Sequence, residues 1–112
     1  MKDLSKKKCV ACDGNISPFD TSEIHKYLKK IDDWDVKSND DKSYYLIKNF
    51  KFENFEESLI FTNKVGEIAE QENHHPDISF GWGYCKIKIF THAIKGLAES
   101  DFILAAKIDK LD

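Results

Sequence analysis

The sequence predicts an α+β domain, a four-stranded antiparallel sheet with three helices packed on one face, in the order α-β-β-α-β-β-α. Three observations lead there. Residues 77–82 and 84–91 alternate apolar and polar side chains and are joined around Gly83, the pattern of a hairpin. A long stretch opening at Asn54 carries apolar residues at helical spacing. Shorter helical patterns stand before the first strands and after the last, so the helices have one sheet to cover.

Taken in chain order, residues 1–19 form a polar, loosely packed lead-in, and residues 20–112 form the single domain. Asp20, Thr21 and Ser22 are all good N-caps, and Ile24, Tyr27, Leu28 and Ile31 recur at helical spacing, so a first helix should run to about Asp32. Trp34, Asp35 and Val36 begin a short strand. Residues 37–42 make a charged turn, and 43–52, rich in aromatic and β-branched residues, make the second strand. In the long helix, residues 54–73, the stripe is expected to be Phe55, Leu59, Thr62, Val65 or Gly66, and Ala69. Ile60, Phe61 and Ile68 lie beside it, and this width serves either a broad core face or a subunit interface. In the second hairpin Cys85, Ile87 and Ile89 share one face, Lys86 and Lys88 the other. Residues 97–111 form the last helix.

Composition narrows the function. With 112 residues there is room for one modest core. No apolar run approaches the roughly 20 residues that span a bilayer. The basic N-terminus is not followed by an apolar segment, so it is no secretory signal and a cytoplasmic protein is expected. All 17 basic residues are lysine, and the net charge is −3. Without arginine the chain lacks the usual bidentate reader of phosphate and guanine, which argues against nucleic-acid binding. Three cysteines, Cys9, Cys12 and Cys85, are too few for a disulfide framework. The Cys9–Cys12 pair has no second pair with which to build a zinc ribbon.

Chemistry concentrates in His74, His75 and His92. Pro76 stops the long helix and keeps His75 out of the α region, because its ring crowds the preceding residue. His92 follows the fourth strand, which runs back toward that corner. Imidazole both gives and takes protons near neutrality, so such a cluster suits a reaction that needs one proton delivered and one removed. Three histidines also suffice for a zinc site, with Asp77 or Glu70 to complete it. Adjacent histidines point apart on extended backbone, however, and no H-x-H or H-x-x-x-H spacing occurs, so no metal is expected. His25 reads as an ordinary surface residue.

Glu70, a gap of three, His74-His75-Pro76, a gap of five, Trp82, a gap of nine, His92, a gap of eight and Asp101 together resemble the signature of the pterin-4a-carbinolamine dehydratases. Thr91-His92, Gly96-Leu97 and Asp101-Phe102 extend the likeness over about residues 20–110. Two departures stand out: Ala98 where the family usually has Ser or Thr, and glycines on both sides of Trp82. The resemblance implies a cofactor-free hydro-lyase that converts a 4a-hydroxytetrahydropterin into quinonoid dihydropterin and water, in support of tetrahydrobiopterin recycling. It implies His74 and His92 as the acid–base pair, with His75 orienting the pterin. Glu70, one helical turn before His74, is either its orienting partner or a solvated carboxylate. Asp101 either meets the dipole of the last helix or pairs with a histidine. Pro76 and Trp82 are the candidate substrate contacts. A homodimer or homotetramer is expected, and relatives of the family also serve as a dimerisation cofactor for a transcription factor. A protein-binding role on the apolar surface around Phe61 and Ile68, and a metal-dependent hydratase, are the rival readings.

Overall fold

The computed structural model describes residues 4–7 and 17–111. Helix α1 spans Thr21–Leu28 and starts where the cap residues predict, with Asp20 Oδ1 accepting the Glu23 amide at 2.9 Å. It stops short of the expected end, and the following turn carries Asp33 at φ 58°. Strand β1 is Asp35–Ser38, so Trp34 precedes the strand. It is buried, and its indole N–H donates to the Asp109 carboxylate at 3.0 Å.

Strand β2, Tyr44–Lys51, pairs antiparallel with β1 on one side and with β4, Tyr84–Ile89, on the other. Strand β3, Asp77–Gly81, lies outside β4, giving the order β1-β2-β4-β3. Gly83 turns the β3–β4 hairpin at φ 81°, a conformation open to glycine at little cost. Leu46 faces Ile89, and Ile87 and Cys85 continue the same buried face. Lys48 shares that face and is tied down at its rim, its Nζ 2.8 Å from Asp109 Oδ1.

Helix α2, Phe55–Glu72, is capped by Asn54, whose Oδ1 accepts the Glu57 amide at 2.9 Å. Its buried stripe differs from the expected one: Ser58, Phe61, Val65 and Ala69 face the sheet, while Phe55 and Leu59 are exposed. Ser58 conceals the true periodicity. It is polar by type yet buried, with its hydroxyl satisfied by the Asn54 carbonyl at 3.2 Å. Phe61 is therefore core, packed on Phe50 and Phe52, and does not belong to an outward surface.

Helix α3, Glu99–Asp109, is buried almost all round. The N-terminal turn, α2 and α1 all pack against it. That turn is Leu4–Lys6. Leu4 is buried, Lys107 Nζ donates to the Ser5 carbonyl at 2.9 Å, and Lys7 pairs with Glu99 at 2.8 Å. The Lys7 hydrogen bond holds the Glu99 carboxyl below its ordinary range. Cys85 is a free thiol that burial pushes up in pKa, while Cys9 and Cys12 lie outside the described residues. No helix among the described residues is long and apolar enough to cross a membrane.

Candidate active site

The site is built on two chain reversals at one end of the sheet. The first ends α2. Asn73 adopts the left-handed conformation at φ 52° and donates its amide to the Glu70 carbonyl at 3.3 Å. The His74 amide reaches the Ala69 carbonyl at 3.1 Å. This pair of bonds is a Schellman motif, with asparagine in the position glycine usually fills. It swings His74, His75 and Pro76 off the helix axis before β3 begins. The second reversal follows β4. Thr91 and Gly96 close a tight loop through the Thr91 amide and the Gly96 carbonyl at 2.8 Å, and His92 opens the single turn between them. Pro18 packs where a side chain on Gly96 would sit, 2.7 Å from an ideal Cβ, so glycine is needed there.

Between the two reversals lies a cavity of about 380 Å³, lined by residues 73–77 and 90–93. His74, His75, Pro76 and His92 all line it, and its size is that of a small-molecule site. His74 is the most enclosed of the three imidazoles. Its Nε2 lies 2.7 Å from Oδ1 of Asp101, which is fully buried. The other oxygen, Oδ2, accepts the Thr91 hydroxyl and the Ala98 amide, each at 2.8 Å. Three groups thus converge on one carboxylate, and a carboxylate so placed accepts from His74 too. His74 then holds its proton on Nε2 and keeps Nδ1 free.

The two readings of Asp101 are therefore both realised, since it caps α3 and also holds a histidine. Ala98 has no side-chain acceptor, but Asp101 three residues on takes its backbone amide and supplies half of a capping box. Glu70 does not reach His74. It pairs with His75, Oε1 to Nε2 at 2.9 Å, on an exposed surface. The left-handed turn at Asn73 is the reason: it breaks the helical register that would have stacked residue 74 over residue 70. His92 is exposed, and its ring lies 4.2 Å from that of Phe90.

Trp82 sits at the hairpin turn, at the opposite end of β3 from the cavity, and is 73% exposed; it does not line the site. Asn73, Asp77, Phe90 and Thr91 do line it. Thr91 was legible only as the neighbour of His92, and Asp77 only as a spare metal ligand. Among the described residues, no three His, Cys, Asp or Glu side chains gather as a metal site.

Known proteins share this architecture. A transcriptional coactivator/pterin dehydratase from Brucella melitensis superposes with a TM-score of 0.73 at 25% identity, covering 83% of this chain and 96% of that one. A pterin dehydratase-like protein described as a RuBisCO assembly factor in the alpha-carboxysome superposes at 0.58 with 26% identity, covering 68% and 84%. Fold and cavity thus define the class, a small α+β protein with a histidine-lined small-molecule site. The family described as Pterin 4 alpha carbinolamine dehydratase matches residues 17–111. Two relatives carry that activity in their names as a provisional assignment. The one from Rubrobacter xylanophilus is 46% identical over 111 residues, covering 99% of this chain and all of the relative. The one from Methylococcus capsulatus is 48% identical over 108 residues, covering 96% and 92%. The chain belongs to the pterin-4a-carbinolamine dehydratase family.

Proposed function

We propose that this chain dehydrates a 4a-hydroxytetrahydropterin by histidine general acid–base catalysis, without a cofactor, and so returns a cytoplasmic pterin to the recycling of tetrahydrobiopterin. The observation that carries the reading is the shared cavity, in which three imidazoles face one space and one of them is backed by a buried carboxylate. Hydroxide leaves poorly from carbon, so an acid must protonate the 4a-oxygen as the C4a–O bond breaks. A base must take the N5 proton as the C4a=N5 bond forms. His74 suits the base: Asp101 stabilises the imidazolium that results, as a buried carboxylate does behind a catalytic histidine. His92 then delivers the proton to the leaving oxygen. His75, steadied by Glu70, orients the ring, and Pro76 fixes the corner.

His74→Ala and His92→Ala should each lower turnover of the carbinolamine by ~10²–10⁴-fold, with unchanged circular dichroism. Wild-type activity should survive a chelator. Near-normal rates in both variants, or loss of activity in EDTA restored by metal, would end the proposal. Support for self-association comes from a different region, the exposed Phe55, Leu59 and Ile60 of α2.

A further inference from the structure

One carboxylate in the cavity has no use in the mechanism above. Asp77 is the first residue of β3 and lines the cavity beside the histidine corner. It is exposed and is the sole acid among the lining residues. The other acids nearby are engaged. Asp101 holds His74, Thr91 and the Ala98 amide, and Glu70 holds His75. The cation to expect opposite Asp77 is Lys88, its partner in the β3–β4 register. The Lys88 amino group is turned elsewhere, 4.2 Å from the Tyr45 ring centroid and 3.4 Å from Asn39 Oδ1. Among the described residues neither a hydrogen bond nor an ion pair engages the Asp77 carboxylate, which leaves an acid at the cavity wall for a ligand to meet.

We infer that Asp77 is the specificity determinant of the site and reads the amino-pyrimidine edge of the pterin. This rests on the dehydratase reading and deepens it. A pterin carries its 2-amino group and its N3–H side by side, two donors spaced for the two oxygens of a carboxylate, as in a bidentate guanidinium pair. That edge lies at the far end of the bicycle from N5, where the proton is removed. His74 and Asp77 are three residues apart on non-helical backbone, at most about 10 Å, a span comparable with the long axis of a two-ring heterocycle. Pro76 stiffens the connection, so base and edge reader keep a set separation. Because Asp77 touches the edge alike before and during dehydration, it governs binding and leaves the chemical step to the histidines.

The inference is tested by titrating the full-length wild type, Asp77→Asn and Asp77→Ala with 7,8-dihydropterin and with 7,8-dihydrolumazine, in which a 2-oxo group replaces the 2-amino group. Kinetics on the carbinolamine are measured in parallel. The wild type should prefer the amino compound by roughly 10- to 100-fold. In Asp77→Asn the carboxamide offers one acceptor and one donor, which matches the lumazine edge, so the preference should vanish or reverse. KM should rise by about tenfold in both variants, with kcat kept within about threefold. Asp77→Asn that keeps the wild-type preference, while the wild type still dehydrates the carbinolamine, would overturn the role of Asp77 and leave the dehydratase reading standing. A wild type that binds neither compound and dehydrates nothing would overturn both.

Discussion

Asp101 links the fold to the chemistry. Its carboxylate is fully buried, a costly placement unless donors surround it, and here three do. One donor is the residue that caps α3, one lies in the loop after β4 and one belongs to the histidine corner, so a single side chain sets His74 relative to both other segments. Asp101→Asn should lower kcat by at least ~10²-fold, leave KM nearly unchanged, and alter the pH–rate profile, because the amide does not support an imidazolium. The stability cost should be about 1–3 kcal/mol, read from urea melts. If activity fell only in proportion to the unfolded fraction, with the pH profile unmoved, Asp101 would be a helix cap and nothing more. At this scale residue type and spacing are legible in the sequence and pairing is not. Glu70, four residues before His74, is expected either to orient it across one helical turn or to stay solvated, and it meets His75 instead. The helix had already ended.

At the scale of elements, the end of α2 decides where the histidines go. Asn73 pays little for its left-handed backbone, and a β-branched residue pays more. Asn73→Val should cost about 1–2 kcal/mol and depress turnover by displacing His74, whereas Asn73→Gly should match or exceed wild-type stability and keep activity. Denaturant melts paired with rate measurements separate the two. A valine variant as stable and active as wild type would show that the corner is held by β3 instead. Caps and turns at this scale were legible because they act locally: Asp20, Asn54 and Gly83 each do their work within a few residues of themselves. The α2 stripe was not, because the burial of Ser58 depends on a serine hydroxyl bonding backward to Asn54, a choice the hydrophobic pattern does not record.

Across the whole molecule, the strongly apolar α3 contributes more buried residues than either other helix, and the N-terminal turn packs against it. Among the exposed apolar residues are Phe55, Leu59 and Ile60 of α2, with the Phe80 ring 5.8 Å from that of Phe55. Contiguous exposed apolar patches are where proteins associate, and this set motivates a test of self-association. The chain is expected to sediment as a homodimer or homotetramer at micromolar concentration, and a Leu59→Lys, Ile60→Lys double variant should sediment as a monomer. A wild type that runs as a monomer throughout would remove this expectation.

The sequence by itself determined the order of elements, the hairpins, the helix caps and the residue types of the site, since each depends on short-range sterics, hydrogen bonding or periodicity. Only the tertiary structure decided which carboxylate meets which imidazole, that Thr91 and Asp77 line the cavity, and that Trp82 lies far from it. Those outcomes turn on strand register and on the exact residue at which a helix stops, and a shift of one position reverses the face that a side chain occupies.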